Sequence, residues 1–477
     1  MPDSRPDLVF VMADDHATHA LSAYGGRITC TPQLDRLAAE GMRFDAAFCT
    51  NSLCAPSRAA ILTGTYNHLN GVTTLQAPID ARQPAFPALL RAAGYRTVLV
   101  GKWHLGHGGV SDPHGFDSWC VLPGQGDYDD PEMIDNGTRR RFPGYATDVI
   151  TDLALAELDH RDPDRPLCLL VHHKAPHRPW TPDPAHAHLF AAAVPVPETY
   201  DDDYSHRAEA AARARMRIRR DLDRTDLKAD PPPGLTEAEH ARWAYQRFIA
   251  DYLRCVASLD DNVGRLLDAI DVSGRDTVVV YTSDQGFFLG DHGWFDKRFM
   301  YEESLRMPLL VRWPREVAPD TSTDALVVNV DFAQTLLDLA GVPAHPRMQG
   351  RSLRPLLRGE RPADWRRSVY YRYWEHLDQQ HRVAAHYGVR TARHKLVCYY
   401  GAGLGQPGAS DEVTPVEWEL FDLERDPAEL RSVYDQPAYA GVRAELTAEL
   451  ARVQAEVGDR PYPPAGSRQQ VTGPWAG

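Results

Sequence analysis

Asn51-Ser52-Leu53-Cys54-Ala55-Pro56-Ser57-Arg58-Ala59-Ala60-Ile61-Leu62-Thr63-Gly64 sets a cysteine, a proline, a serine and an arginine at the mouth of a short apolar segment. Pro56 has its φ preset for a first helical turn and loses no needed N–H there. Cys54 therefore stands beside a helix N-terminus, where backbone N–H groups attract an anion. Arg58 lies one turn further in and can reach back toward it. The stretch reads as an anion cradle with a reactive group at its centre. A lone buried cysteine is ordinarily packing, so the surrounding pattern has to decide.

Working outward, short continuous apolar runs alternate with helical patterns. Leu8–Ala13 reads as a strand buried on both faces and ends in Asp14-Asp15-His16. Thr31-Pro32 opens a helix stopped by Gly41, and a strand over Met42–Phe48 leads into the cysteine loop. Tyr95–Val100 ends at Gly101-Lys102-Trp103-His104. Leu167–Val171 ends at His172-His173-Lys174-Ala175-Pro176-His177, and Thr277–Tyr281 ends at Ser283-Asp284-Gln285-Gly286. Pro308–Trp313 is a further strand. Helices are expected over Phe86–Ala93, Asp148–Leu158 and Phe332–Leu339. A long one follows the capping box of Thr236 and Glu239, with Phe248, Tyr252, Val256, Leu259, Val263 and Leu267 on its core stripe. This alternation predicts an α/β fold, a large mainly parallel sheet flanked by helices. Ligands bind beyond the carboxyl ends of such strands, and four of those ends carry chemical residues.

The 477 residues suggest two domains, a catalytic one over 1–362 and a smaller antiparallel α+β one over 363–477. The second is read from short strands at Ser368–Trp374, Tyr387–Thr391, Lys395–Tyr400 and Glu417–Leu423 and a helix near Ala440–Glu456. A formal charge of −14 argues against nucleic acid or an anionic membrane as partner. No apolar run approaches the ~20 residues of a membrane span. The opening run is too short for a signal peptide, and seven cysteines without paired spacing suit a reducing interior, so a cytoplasmic location is expected. The polar stretch Thr181–Gly234 carries Arg213, Arg215, Arg217, Arg219 and Arg220, read as a solvated face.

Asp14, Asp15, Asp284 and Gln285 are hard oxygen donors at two strand ends. Adjacent acids repel unless a cation sits between them. A side-chain amide among carboxylates suits Ca²⁺ better than Zn²⁺, with Mg²⁺ the alternative.

Cys54-x-Pro56-Ser57-Arg58 with Leu62-Thr63-Gly64, Gly101-Lys102-Trp103-His104, and the paired acids before Asp284-Gln285 resemble the motifs of type I, formylglycine-dependent sulfatases. The resemblance runs over most of the chain. It implies the alkaline-phosphatase-like fold and hydrolysis of sulfate esters to alcohol and inorganic sulfate. It implies that Cys54 is converted to Cα-formylglycine by a formylglycine-generating enzyme, its hydrated diol being the nucleophile and a further Ca²⁺ ligand. By the same resemblance Lys102 and Lys297 hold the sulfate, Arg58 belongs to the catalytic set, and His104 is the base on the diol. His177 or His173 is the acid on the leaving oxygen, with His177 preferred and Lys174 a possible sharer of the role. The Asp284–Gly290 stretch most resembles sulfatases of sulfated sugars, N-acetylglucosamine 6-sulfate in particular. His386 and Arg390, with Glu375 and His376, are the candidate sugar contacts. The alternatives are a choline-sulfatase or arylsulfatase, a phosphodiesterase or phosphonate monoester hydrolase of the same superfamily, or a metal-stabilised sugar-binding protein with residue 54 left as cysteine.

Overall fold

The computed structural model describes residues 5–26, 28–460 and 462. It divides into two compact units. The first holds residues up to Asp202 together with Met216–Arg366, and the second holds Asp203–Arg215 and the chain from Arg367 on. The division at 366/367 falls four residues beyond the expected one, and a piece of the polar insertion joins the second unit.

Five parallel strands form the middle of the first unit: β1 (Asp7–Ala13), β2 (Arg96–Lys102), β3 (Ser118–Leu122), β4 (Leu167–His172) and β5 (Thr277–Ser283). They lie side by side in the order β5-β1-β4-β2-β3. Every residue of β1, β4 and β5 is buried, which is why these runs are continuously apolar instead of alternating. Leu309–Arg312, Met42–Phe44 and Thr321–Thr323 extend the sheet beyond β5, and Glu132–Asp135 and Thr138–Arg141 extend it beyond β3.

The expected strand over Met42–Phe48 is broken in two. Asp45 turns its carboxylate to Arg43 Nε, 2.7 Å away, and Ala47–Phe48 pairs separately with Val327–Val328. Strand β3 was not anticipated. Its five residues, Ser118-Trp119-Cys120-Val121-Leu122, are half-buried at the first two positions and buried at the last three.

Two helices matter for the site. Helix α1 (Cys54–Thr63) is buried at every residue and stops at Gly64, which adopts a φ of 61°. Helix α2 (Glu237–Ser273) starts on the expected capping box, and its apolar stripe lies in the core with β1, β4 and β5. No helix among the described residues is long and apolar enough to cross a membrane.

The second unit is a four-stranded antiparallel sheet of Ser368–Tyr373, His386–Thr391, His394–Tyr399 and Glu417–Asp422, with the helix Ala440–Val457 packed on it. Asp203–Arg215 is tied to it by carboxylates. Glu419 accepts from Ala208 N at 2.8 Å and Glu417 from Glu209 N at 2.9 Å. Arg213, Arg215, Arg219 and Arg220 are exposed, as expected, whereas Arg217, read as part of the same solvated face, is half-buried.

Candidate functional site

Strand register brings the chemistry together. Ala13 is level with Ser283, Met12 and Gly101 with His172, and Lys102 with Leu122. The five strands therefore end in one row, with neighbours ~4.8 Å apart. Asp14-Asp15, Lys102, the loop after β3, the histidine segment and Asp284-Gln285 all leave the sheet at that edge.

Three acids and three cations meet there, all buried. Lys102 Nζ donates to Asp14 Oδ2. Lys297 Nζ lies 2.6 and 2.7 Å from the two oxygens of Asp15. Arg58 Nε donates to Asp284 Oδ2 at 3.0 Å and its Nη1 to the Lys102 carbonyl at 2.9 Å. Cys54 sits among them, its Sγ 3.3 Å from Asp14 Oδ1. Leu53 supplies no side-chain cap for α1, so the positive end of that helix is left to the cluster.

The turn of Asp15, at φ 69°, is held by Tyr252 Oη, which donates to the Asp15 carbonyl at 2.7 Å. Ser57 Oγ donates to the Asp284 carbonyl and accepts from Asn329 Nδ2 at 2.9 Å, fixing α1 against β5.

The electrostatics follow from burial set against pairing. Burial pushes the Asp14 carboxyl up, but Lys102, His177 and Arg58 outweigh it and hold it well below the usual range. Asp15 is pushed up to about 7 by burial, despite Lys297, and Asp284 to about 6 by burial and by Asp14. Burial and Asp14 push the Cys54 thiol well above its ordinary value. A plain cysteine here is a neutral thiol, and the thiolate is the nucleophilic form.

The site also fits a metal ion. Asp14, Asp15 and Asp284 offer oxygens within 4.8 Å of one another, and Gln285 Oε1 is buried without a hydrogen-bond partner. Three converging carboxylates suit a divalent cation of the Ca²⁺ type, and Gln285 adjoins them, its Nε2 donating to Asp15 Oδ1.

Of the two histidines, His177 reaches the cluster. Its Nε2 is 3.7 Å from Asp15 Oδ2, and its Nδ1 faces the Arg178 carbonyl at 2.6 Å, which fixes a proton on Nδ1. His173 does not join the cluster. It is fully buried, neither ring nitrogen has a hydrogen-bond partner, and burial alone lowers its pKa to about 3. His104, at φ 56°, has burial and then Lys102 holding it well below the ordinary imidazole value, and its Nδ1 is unpaired. Lys174 Nζ lies 4.7 Å from the centre of the Tyr128 ring and 3.2 Å from the Gln125 carbonyl.

In the second unit, His386 is fully buried. Its ring stacks on Tyr371 and Tyr373, with Tyr399 5.1 Å away, and its Nδ1 is on the Ala384 carbonyl. That is a packing role and not the sugar contact expected of it. His376 is likewise engaged through both ring nitrogens, with the Glu412 carbonyl and Ala385 N. Arg390 is half-buried and its Nη1 donates to the Thr391 carbonyl at 2.9 Å.

The sequence reading placed Tyr252 only on the core stripe, and missed Asn329 and the loop carrying Gln125 and Tyr128. The glycines of Gly124-Gln125-Gly126, following a strand, were the available signal for the loop.

A family model described as Sulfatase matches residues 6–342. The chain belongs to the sulfatase family. It is a sulfuric ester hydrolase, and sulfatases generally use a metal and a formylglycine. A second model, N-sulphoglucosamine sulphohydrolase C-terminal, matches residues 290–456 of this sulfatase. Among its relatives, the N-acetylglucosamine-6-O-sulfatase of Bacteroides thetaiotaomicron is 41% identical over 95% of this chain and 87% of that protein. The human N-acetylglucosamine-6-sulfatase is 30% identical over 77% of this chain and 67% of its own. The solved structure of BT4656 in complex with its substrate D-glucosamine-2-N,6-O-disulfate superposes with a TM-score of 0.87, at 40% identity, over 95% of this sulfatase and 98% of that chain. The phosphonate monoester hydrolase of Agrobacterium radiobacter, 21% identical with a TM-score of 0.73 over 95% and 96% of the two chains, shares the fold alone.

Proposed function

We propose that this sulfatase removes the 6-O-sulfate of N-acetylglucosamine, or of a closely related glucosamine, in a sulfated carbohydrate. Residue 54 works as Cα-formylglycine, and Asp14, Asp15, Asp284 and Gln285 hold Ca²⁺. The observation that carries the reading is the burial of Cys54 among Asp14, His177, Lys102, Lys297 and Arg58. A thiol in those surroundings is too poor an acid to serve as a thiolate, whereas an aldehyde hydrate needs only a neighbouring base. The sugar is supported by the relatives named above, which act on N-acetylglucosamine 6-sulfates by name.

Three acids against three cations leave the cluster near neutrality. A divalent ion supplies the excess positive charge that a sulfate monoanion needs. Lys102 and Lys297 bind the sulfate oxygens as charge builds on them. His177 is the acid on the leaving sugar oxygen. With its Nδ1–H held by the Arg178 carbonyl, it gives the proton from Nε2 as the imidazolium, a form that burial and then Lys102 disfavour in the unloaded cluster. His104, neutral and with a free ring nitrogen, takes the proton from residue 54. Maturation requires a formylglycine-generating enzyme acting on the Cys54–Arg58 stretch. A reducing compartment is supported by the seven cysteines, all unpaired.

The test has two parts. The mass of the peptide containing residue 54 should correspond to the aldehyde, and Cys54→Ala should abolish turnover without lowering the melting temperature. N-acetylglucosamine 6-sulfate should be hydrolysed at least about tenfold faster, as kcat/KM, than the same sugar sulfated at position 3 or 4. An intact thiol in active protein, or equal rates on the three sugars, would overturn the corresponding half of the reading.

A further inference from the structure

The loop after β3 touches the site at several points outside the motifs. Lys102 Nζ donates to Gln125 Oε1 at 2.5 Å, and Lys174 Nζ donates to the Gln125 main-chain carbonyl at 3.2 Å. Tyr128 Oη donates to the His177 carbonyl at 2.8 Å, and the Tyr128 ring lies under the Lys174 ammonium. Gln125 is flanked by Gly124 and Gly126, at φ 56° and 67°. A Cβ on Gly126 would come within 2.8 Å of Leu122, so the chain turns sharply here, straight off β3.

An ammonium has three donors and no acceptor, so the atom of Gln125 that faces Lys102 has to be the carboxamide oxygen. Lys102 thus spends one N–H on Asp14 and one on Gln125, and keeps the third for a ligand oxygen. The two partners differ in kind. Asp14 is an anion that neutralises the lysine and belongs to the set that fits a metal. Gln125 is neutral, so it orients the ammonium and leaves its charge intact. When the Asp14 carboxylate is committed to a cation, the Gln125 oxygen is the remaining side-chain acceptor on Lys102. Gln125 is half-buried while Lys102 is fully buried, so the amide comes at the ammonium from the solvent side of the cluster.

We propose that Gln125 is a positioning residue for sulfate binding: its carboxamide oxygen aims the Lys102 ammonium, and its neutrality preserves the positive charge that the anion meets. The inference rests on the sulfatase reading only for the identity of that anion. It accounts for an amide at this point of the loop. An acid would hold the lysine as firmly but would cancel it, and an apolar side chain would leave it to collapse onto Asp14.

The test uses the metal-loaded, full-length protein and inorganic sulfate as probe, with affinity measured by calorimetry and as a competitive inhibition constant. Gln125→Met keeps the length of the side chain and removes the acceptor. Sulfate should bind about tenfold more weakly, the worth of one charge-assisted hydrogen bond, with KM rising in step and kcat changing less than about threefold. Gln125→Glu keeps the shape and adds a charge, and sulfate affinity should fall by about a hundredfold. Melting temperatures of both variants report whether the loop still folds. Wild-type sulfate affinity in Gln125→Met, or equal affinities in the two variants, would overturn the proposal. So would a fall in kcat with sulfate affinity unchanged, which would mark Gln125 as merely structural. A wild-type protein that binds sulfate through Gln125 yet hydrolyses no sulfate ester would instead sink the catalytic reading and leave this one standing.

Discussion

Lys297 grips Asp15 through both carboxylate oxygens, at 2.6 and 2.7 Å, with both side chains buried. The lysine is presented on a turn whose neighbours Asp296 and Arg298 adopt φ of 76° and 88°, and Asp296 Oδ1 accepts from the Lys297 main-chain N–H at 2.8 Å. Removing one partner of such a pair strands the other, at a cost of about 3–5 kcal/mol. Lys297→Ala should therefore lower the melting temperature of metal-free protein markedly, and that of Ca²⁺-loaded protein much less, since the ion then compensates Asp15. With a sulfate contact gone, kcat/KM should drop at least about a hundredfold. Scanning calorimetry with and without Ca²⁺, alongside steady-state kinetics, checks both halves. Unchanged kinetics would remove Lys297 from the sulfate site.

The metal site should be proton-linked. Asp15 and Asp284 have carboxyl pKa values raised to about 7 and about 6 in the unloaded cluster, burial being the leading cause in each. Raised acids hold protons below those values, and a cation has to displace them. Ca²⁺ affinity should accordingly rise with pH through the window from about 6 to 7 and level off above it. The slope should approach about tenfold per pH unit for each proton released. Calorimetric titrations in buffers of different ionisation enthalpy count the protons directly. An affinity flat across that window would contradict the ligand set.

His177 and His173 should separate cleanly. A sugar alkoxide is a poor leaving group and needs a proton, whereas a nitrophenolate does not. His177→Ala should cost about 10²–10⁴-fold in kcat on a sugar sulfate and far less on an aryl sulfate. His173 has no hydrogen-bonded contact with the cluster, so His173→Ala should affect both substrates alike, through stability. Identical substrate dependence in the two variants would return the choice of acid to open.

The packing of His386 predicts a loss of stability instead of a change in selectivity. Its ring fills the space between Tyr371 and Tyr373, so His386→Ala should destabilise the second unit by about 3 kcal/mol. The ratio of sugar-sulfate to aryl-sulfate turnover should stay within about twofold in the protein that remains folded. A selective loss on the sugar would restore His386 as a substrate contact.

What the sequence determined by itself was local. Asp14-Asp15, Cys54-x-Pro56-Ser57-Arg58, Lys102 and Asp284-Gln285 are legible because each donor stands next to the end of an apolar strand or the start of a helix. Burial on both faces writes β1, β4 and β5 as unbroken apolar runs, and the capping box writes the start of α2. Tertiary structure alone decided which of these ends meet, since strand order and register are set by pairing between residues far apart in the chain. Lys102 finds Gln125 because β2 pairs with β3, a strand of five residues that is too short to announce itself. His177 was separated from His173 by the path of the loop after β4, and both belong to one polar run in the sequence. Likewise Asp203–Arg215 left the first unit because Glu417 and Glu419, about two hundred residues away, satisfy its N–H groups. Short-range chemistry repeats along a chain and can be read there. A long-range hydrogen bond is written in neither of its two ends alone.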